Sequence, residues 1–322
     1  MAEQKADEFK QTGLARRSML WSVWVRPYLE LRYRNSPLTL KRYLGAWEWW
    51  QLFLKEDKIP APGHLTYNHV TRFIAWRQAQ RRHCGKNISL NTALSDVKVM
   101  SLLMREAMRR GYAMANPCER LGIQRDPPKE KQPLLPEEIA KIRAALVARE
   151  GHLPMKQRWM TMSFEIALHQ GCRLRETSVP LDAIDEANGT IRFHGKGRNG
   201  QKKIITTALH PELRPLIAKL REEGASHTCE LPGMAAKVWW ELRGDLDLRH
   251  TCFHSTRVTV VTQLARSNVS EQQAMAYVGH SSRLVHRVYQ KLRAGDLSGC
   301  TAALQFGAPT GAEAGEPTRE TA

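Results

Sequence analysis

Several signatures by which enzymes are recognised are missing from this 322-residue chain. It contains no G-x-x-x-x-G-K-[ST] phosphate loop, no G-x-S-x-G turn, no H-E-x-x-H pair and no compact acidic cluster suited to Mg²⁺. These absences exclude the enzyme classes that depend on those motifs. The sequence predicts neither a metal ion nor a cofactor, so any phosphoryl transfer would depend on cationic side chains.

The six cysteines are scattered and include no C-x-x-C pair. This spacing argues against a zinc ribbon and against a disulfide framework, and we interpret the cysteines as reduced thiols. The opening stretch, MAEQKADEFK, is polar and does not predict a signal peptide. No uninterrupted apolar run approaches the roughly 18–20 residues that cross a bilayer. We therefore expect a cytoplasmic protein that has no membrane partner.

Acidic residues are scarce relative to basic ones. The chain has 49 Lys and Arg against 32 Asp and Glu, a formal net charge of +17. Residues 1–130 hold 23 basic and 12 acidic side chains, a net charge of +11. A surplus of this size attracts anionic polymers, so nucleic acid is the leading partner and the first 130 residues its main electrostatic contact.

Three stretches in the first part of the chain carry apolar side chains at helical spacing, namely 38–54, 67–82 and 89–111. Ser89 would cap the third helix, and Gly111 would end it. We therefore predict a small helical bundle.

The stretch RDPPKEKQPLLP at 125–136 contains four prolines and alternating charges, which predict an extended linker. Beyond it, TIRFH, GKGRNGQ and KKIITTAL predict a strand, a glycine-rich turn and a strand among helical segments. The fold class is thus predicted to be mainly α with a small β-hairpin or sheet (α+β). Residues 308–322 have few apolar side chains and predict a disordered tail.

The conspicuous polar residues of the second part are basic and could surround one phosphate. Arg173 lies in HQGCRLRE, while His254 and Arg257 lie three residues apart in FHSTRVT, on one helix face. His280 lies in VGHSS and Lys196 in the hairpin turn. Guanidinium groups suit bidentate contacts with phosphate oxygens, and histidines can bind the same oxygens or move protons. A lysine on a hairpin could protonate a leaving oxygen.

In order along the chain, the motifs GCRLRE, GKG, HSTR, VGHSS and VY resemble those of the tyrosine recombinases, or phage-type integrases, in their simple Xer-like two-domain form. Each motif is short, but all five follow the family's order, and the resemblance covers residues 36–300. Thr256 stands where the family usually has Leu, and the stretch from Lys196 to His254 is somewhat short. Neither departure affects a charged position.

The resemblance implies a role for each of these residues. Tyr289, nine residues after the histidine of VGHSS, matches the nucleophile that forms a 3′-phosphotyrosyl bond to DNA. Arg173 and Arg257 match the arginines that hold the scissile phosphate. Lys196 matches the general acid for the 5′-hydroxyl leaving group.

His254 and His280 match two supporting positions, the first as general base and the second as a phosphate donor. A phenol is mostly protonated at neutral pH, so a tyrosine nucleophile needs a proton acceptor and nearby cations. The covalent intermediate would conserve the energy of the phosphodiester, so no ATP is expected.

Other assignments remain open at three positions. Tyr277 is a second tyrosine of this half, although its apolar context AMAYVG favours packing. Lys202 and Lys203 also lie on the hairpin and could act in place of the turn lysine. Arg173 could form a plain ion pair with Glu176.

Basic side chains of the first part are expected, as a set, to contact DNA phosphates. They are Arg72, Arg77, Arg81, Arg82, Lys86, Arg105, Arg109 and Arg110.

The resemblance implies a site-specific DNA recombinase with a core-binding domain at 36–124 and a catalytic domain at 137–307, preceded by a helical extension at 1–35. Its partners would be double-stranded DNA with a specific recombination site, a homotetramer on two sites, and accessory directionality factors. It would act at the nucleoid of a bacterial cell or a phage-infected host. The alternatives are a type IB topoisomerase-like enzyme, a DNA-binding regulator that does not cleave, and an RNA-binding protein, which would leave the ordered motifs unexplained.

Overall fold

The computed structural model describes residues 19–81, 85–127, 130–195, 203–293 and 296. The chain forms two compact units, Met1–Lys129 and Glu130–Ala322. The described elements are mostly helices, accompanied by a small antiparallel sheet, which confirms the predicted fold class. None of the described helices combines the length and the apolar character needed to cross a membrane. The predicted division into a core-binding and a catalytic domain stays a prediction.

The first unit is a helical bundle, as its apolar periodicity predicted. Its helices are α1 (Trp21–Tyr33), α2 (Pro37–Glu56), α3 (Tyr67–Ala79) and α4 (Leu90–Arg109). Ser89 caps α4 as predicted, because its hydroxyl accepts a hydrogen bond from the backbone N–H of Thr92. Helix α1 lies within the predicted extension at 1–35, and its Trp24 and Leu29 are buried in the core of the bundle.

Aromatic side chains form the centre of this core. Trp50 stacks on Phe73 with ring centroids 3.5 Å apart, and Phe53 meets both rings edge-on. The indole N–H of Trp50 donates to the backbone oxygen of Asp96, 3.0 Å away. Large rings thus remove much apolar surface from water while the polar atom of Trp50 stays bonded.

The second unit contains helices around a three-stranded sheet. Its elements are α5 (Pro136–Glu150), α6 (Trp159–Gln170), β1 (Ile184–Asp185), β2 (Thr190–Gly195), β3 (Lys203–Ala208), α7 (Arg214–Glu222), α8 (Ala235–Asp245), α9 (Ser255–Arg266), α10 (Glu271–Val278) and α11 (Arg283–Tyr289). Helix α5 begins at a proline followed by two acids, and the carboxylate of Glu138 accepts from the N–H of Leu135.

The predicted hairpin is confirmed at its strands. β2 pairs antiparallel with β3, with Phe193 opposite Ile205 and Gly195 opposite Lys203. β1 pairs with the other edge of β2 and was not predicted, because two residues carry no readable periodicity. The turn of the hairpin, 196–202, lies outside the described residues.

Helix α6 lies between two apolar clusters and is buried along most of its length. Met160 and Phe164 pack in one cluster, and Met162 and Ile166 in the other. The helix ends at Gly171, whose φ of +63° suits a residue without a side chain. A Cβ at this glycine would lie 2.8 Å from Val278, so α6 ends in close contact with α10. This contact brings the Arg173 segment close to α10.

Candidate active site

The ends of three neighbouring helices bring four of the predicted residues together. His254 immediately precedes α9, and Arg257 lies in its first turn. His280 follows the left-handed glycine that ends α10, and Tyr289 is the last residue of α11. Because α9 contacts both α10 and α11, these four side chains form one cluster, which we call the pocket.

The hydroxyl of Tyr289 lies 2.7 Å from Nε2 of His254. Burial, together with the charges of Lys131, Arg257 and Arg173, lowers the pKa of His254 to about 4. The imidazole is therefore neutral at physiological pH, and its tautomer with Nε2 unprotonated can accept a hydrogen bond from the phenol. This geometry is what proton removal from a tyrosine requires.

Arg257 is fully buried, and each of its donors faces a different environment. Nη1 donates to the carbonyl oxygen of Gly171 at 2.6 Å, and Nε donates to Nε2 of His280 at 3.0 Å. Nη2 is buried and has no hydrogen-bond partner among the described residues. Burial first, and the charge of Arg173 second, lower the pKa of Arg257 to about 10, so the group stays cationic at neutral pH.

Arg173 forms the ion pair that the sequence left open. Its Nη1 donates to Oε1 of Glu176 at 2.7 Å, and its backbone N–H donates to the other carboxylate oxygen at 2.8 Å. The charge of Arg173 nevertheless helps to lower the pKa values of His254, Arg257 and His280. Its guanidinium is therefore both held by a buried acid and close to the same pocket.

His280 bonds to a residue that the sequence analysis missed. Its Nδ1 lies 2.9 Å from Nδ1 of His286, a fully buried histidine of α11. Burial, followed by the charge of Arg257, lowers the pKa of His280 to about 3. In this arrangement Nε2 of His280 faces Arg257, and its predicted donation to a phosphate stays a prediction.

Thr262, on α9, was also missed. Its hydroxyl donates to the carbonyl oxygen of Tyr289 at 3.1 Å and accepts from the N–H of Lys291 at 3.2 Å. Thr262 lies in the stretch VTVVTQL, where neither of two threonines among valines carries a signal of function. The segment around Tyr289 is thereby anchored to the helix that begins beside His254.

Tyr277 occupies a different environment from Tyr289. Its hydroxyl donates to the carbonyl oxygen of His169 at 2.8 Å, and burial raises its pKa to about 12. A phenol bonded to a backbone carbonyl and disfavoured as an anion is a poor nucleophile. The contrast favours Tyr289.

The predicted Lys196 and the alternative Lys202 lie outside the described residues. Lys203, at the start of β3, donates through Nζ to the carbonyl oxygen of Gly279 at 3.2 Å. Ile205, two residues further along β3, packs closely on Gly279. A Cβ atom at position 279 would lie 2.4 Å from Cδ1 of Ile205. The base of the hairpin therefore supports the turn that carries the second pocket histidine.

The basic residues of the first unit differ in exposure. Arg77 is buried, donates to Asp96 at 2.9 Å and lies over the ring of Trp49, so its position disfavours the predicted contact with DNA. Arg82 lies outside the described residues. The others are at least partly exposed, and DNA binding by them stays a prediction: Arg72, Arg81, Lys86, Arg105, Arg109 and Arg110.

Comparison with known proteins finds no family model that matches the chain. The tyrosine recombinase XerC of Oceanobacillus iheyensis is 27% identical over 210 residues, which are 62% of this chain and 64% of that protein. The match thus spans less than two thirds of the length of the curated relative.

Solved structures share the fold at low identity. A lambda integrase dimer bound to a COC′ core site matches with a TM-score of 0.63 at 17% identity, over 88% of this chain and 81% of the other. The Tn1549 transposon integrase in complex with circular intermediate DNA matches with a TM-score of 0.59 at 15% identity, over 86% and 98%. The chain is thus similar in sequence to a tyrosine recombinase and shares its fold with solved integrases, in agreement with the resemblance carried by the motifs.

Proposed function

We propose that the chain is a site-specific DNA recombinase that cleaves and rejoins DNA strands through a 3′-phosphotyrosyl intermediate. The observation that carries the proposal is the 2.7 Å contact between the hydroxyl of Tyr289 and Nε2 of His254, beside the buried guanidinium of Arg257. A neutral imidazole in contact with a phenol supplies the proton acceptor that the nucleophile needs.

In the proposed reaction the oxygen of Tyr289 attacks the phosphorus while His254 takes its proton. The new O–P bond replaces the bond from phosphorus to the 5′ oxygen, which leaves and is protonated. Lys196 is proposed as the donor of that proton. Religation reverses these steps, with a 5′-hydroxyl attacking the phosphotyrosine, so the phosphodiester is restored without an external energy source.

The two arginines would stabilise the charge on the non-bridging phosphate oxygens. Nη2 of Arg257 is a buried cationic donor without a described partner, and a phosphate oxygen would satisfy it. Arg173 and Arg257 also repel each other, since the charge of the first lowers the pKa of the second. An anion between them removes that repulsion, and the stabilisation grows as charge develops in the transition state.

The proposed partner is duplex DNA that carries a recombination site. Solved structures that share this fold include complexes with a DNA site, among them XerH bound to its difH substrate and the two integrases described above. We extend a DNA partner to this chain because the first 130 residues carry a net charge of +11. A homotetramer on two sites, accessory directionality factors and action at the nucleoid belong to the same proposal.

Covalent capture tests the proposed chemistry. The full chain is incubated with nicked duplexes from the DNA that flanks its gene, in which release of a short fragment prevents religation, and a denaturation-resistant adduct is sought. We expect the wild type and Tyr277→Phe to form the adduct and Tyr289→Phe to form none. Loss of the adduct in Tyr277→Phe alone would reassign the nucleophile.

Two further outcomes separate the alternatives. Adduct formation together with relaxation of any supercoiled plasmid would favour a type IB topoisomerase-like enzyme. Binding of the flanking DNA at a defined position without any adduct would favour a regulator that does not cleave.

A further inference from the structure

His286 lies behind the pocket and contacts none of the atoms proposed to react. It is fully buried on α11, and its Nδ1 lies 2.9 Å from Nδ1 of His280. The other ring nitrogen of His280, Nε2, lies 3.0 Å from Nε of Arg257. Arg257, His280 and His286 therefore form a continuous row of bonded side chains.

The chemistry of arginine fixes the protonation of this row. Nε of Arg257 always carries a hydrogen and cannot accept, so Nε2 of His280 must be unprotonated and must accept. The single proton of neutral His280 is then on Nδ1, which faces His286. For that contact to be a hydrogen bond, Nδ1 of His286 must accept and its own proton must be on Nε2.

We infer that His286 is a positioning residue, which holds His280 in the Nδ1-protonated tautomer and thereby keeps Nε of Arg257 bonded and its guanidinium oriented. The inference rests on the proposed function, in which Arg257 binds the scissile phosphate. In the structure without DNA, Nε2 of His280 accepts from Arg257, and donation by His280 to a phosphate stays a prediction.

The surroundings of His286 agree with this tautomer. Nε2 of His286 is buried without a hydrogen-bond partner among the described residues, whereas Oε1 of Glu271 lies 3.5 Å from Nε of Arg287. Burial lowers the pKa of His286, and the charge of Glu271 opposes this lowering while that of Arg257 adds to it. A proton on Nε2 of His286 leaves its Nδ1 free to accept from His280.

The opposite tautomer of His280 would be costly. A proton on Nε2 would point at the N–H of Arg257, and Nε would become a buried donor without an acceptor. Two unprotonated Nδ1 atoms would also face each other at 2.9 Å. Removal of the acceptor on His286 removes the contact that prevents this exchange.

The test compares two substitutions that differ in one acceptor. Asn carries its side-chain oxygen at the position of Nδ1, so His286→Asn can still accept from His280, whereas His286→Leu is apolar. His152→Leu serves as the control, because His152 is an exposed histidine of the same unit. Circular dichroism verifies that each full-length variant folds.

The first measurement is the ¹⁵N shift pattern of the histidine rings, assigned by single substitutions. In the wild type we expect Nδ1 of His280 to be protonated and Nε2 unprotonated, and in His286→Leu we expect the two tautomers to mix. A wild-type His280 protonated at Nε2 would overturn the inference, whether or not the protein cleaves DNA and whether or not the leucine variant folds.

The second measurement is the rate of adduct formation on nicked duplex at saturating DNA, beside DNA affinity. In metal sites, removal of the residue that orients a ligating histidine typically costs about 10–100-fold in activity, and we expect a loss of similar size in His286→Leu. DNA affinity should change by less than about twofold, and His286→Asn should recover most of the rate. Cleavage by His286→Leu at the wild-type rate would reject the role of His286 but leave the proposed function intact. Absence of any adduct with the wild type would reject the proposed function.

Discussion

The hydroxyl of Thr262 donates to the carbonyl oxygen of Tyr289 at 3.1 Å and accepts from the N–H two residues further on at 3.2 Å. One buried side chain thus fixes the backbone on both sides of the Tyr289 side chain. Helix α11 ends at Tyr289, so intrahelical bonds give little support there. The position of the proposed nucleophile depends on this threonine.

Thr262→Val keeps the volume of the side chain and removes both hydrogen bonds. We expect it to lower the free energy of unfolding by about 1–3 kcal/mol, because two backbone groups lose a partner in a buried site. Adduct formation on nicked duplex should slow by about tenfold, since small displacements of a nucleophile are costly. Thr262→Ser retains the hydroxyl and should stay close to the wild type in rate. Equal rates for the two variants would contradict the anchoring role.

His254→Asn removes the proton acceptor of Tyr289 while leaving a polar side chain of smaller size. General-base catalysis contributes about 10²–10⁴-fold, so we expect adduct formation to slow within that range. DNA affinity measured by gel shift should stay within about twofold, because the histidine is neutral before the reaction. Rates that match the wild type would show that another group accepts the proton.

Stability should fall in acid through the pocket histidines. The pKa of His254 is lowered from 6.5 to about 4 and that of His280 to about 3, in both cases mainly by burial. The unfolded chain therefore binds protons first as the pH falls below 6.5. The stability that depends on neutral imidazoles is complete above pH 6.5 and is lost as the pH falls through 4 and then 3.

Urea unfolding of the full chain at pH 7 and pH 4 measures this loss. For His254 alone we expect about 1–2 kcal/mol, after allowing for its partial exposure. Carboxylates with lowered pKa values, such as Glu223, add to the acid loss, so the comparison is with His254→Leu. The variant should lose less stability than the wild type between the two pH values. An identical loss would show that this histidine is not held neutral.

Gly279→Ala should destabilise the second unit. The glycine has φ of +70°, and a Cβ would lie 2.4 Å from Cδ1 of Ile205. We expect a cost of about 2–4 kcal/mol, which combines backbone strain with overpacking. Gly224→Ala is the matched control. Gly224 has φ of +68° and open space around it, so an alanine there has the backbone strain without the overpacking.

The double variant Gly279→Ala with Ile205→Val removes the methyl group in closest contact. It should recover part of the loss, measured as a coupling free energy in a double-mutant cycle of urea unfolding. If Gly279→Ala and Gly224→Ala lower the free energy of unfolding equally, the contact with Ile205 adds no cost and the packing explanation is wrong.

The sequence by itself determined the fold class, three helices of the first unit and the order of the motifs. Apolar periodicity indicated α2, α3 and α4, and the hydroxyl of Ser89 indicated the start of α4. These features depend on near neighbours in the chain, through helical spacing and capping. The motifs HSTR and VGHSS likewise identified His254, Arg257 and His280, because each carries a polar residue in a short ordered pattern.

Only the tertiary structure decided which partners complete the pocket. Gly171 supplies a carbonyl oxygen to Arg257, 86 residues away, and a backbone atom leaves no mark in a sequence. The roles of Thr262 and His286, the separation of Tyr277 from Tyr289, and the burial of Arg77 also depend on how helices pack across long stretches of chain. Spacing along the chain fixes which residues share one helix face, but contacts between helices follow from side-chain packing in three dimensions.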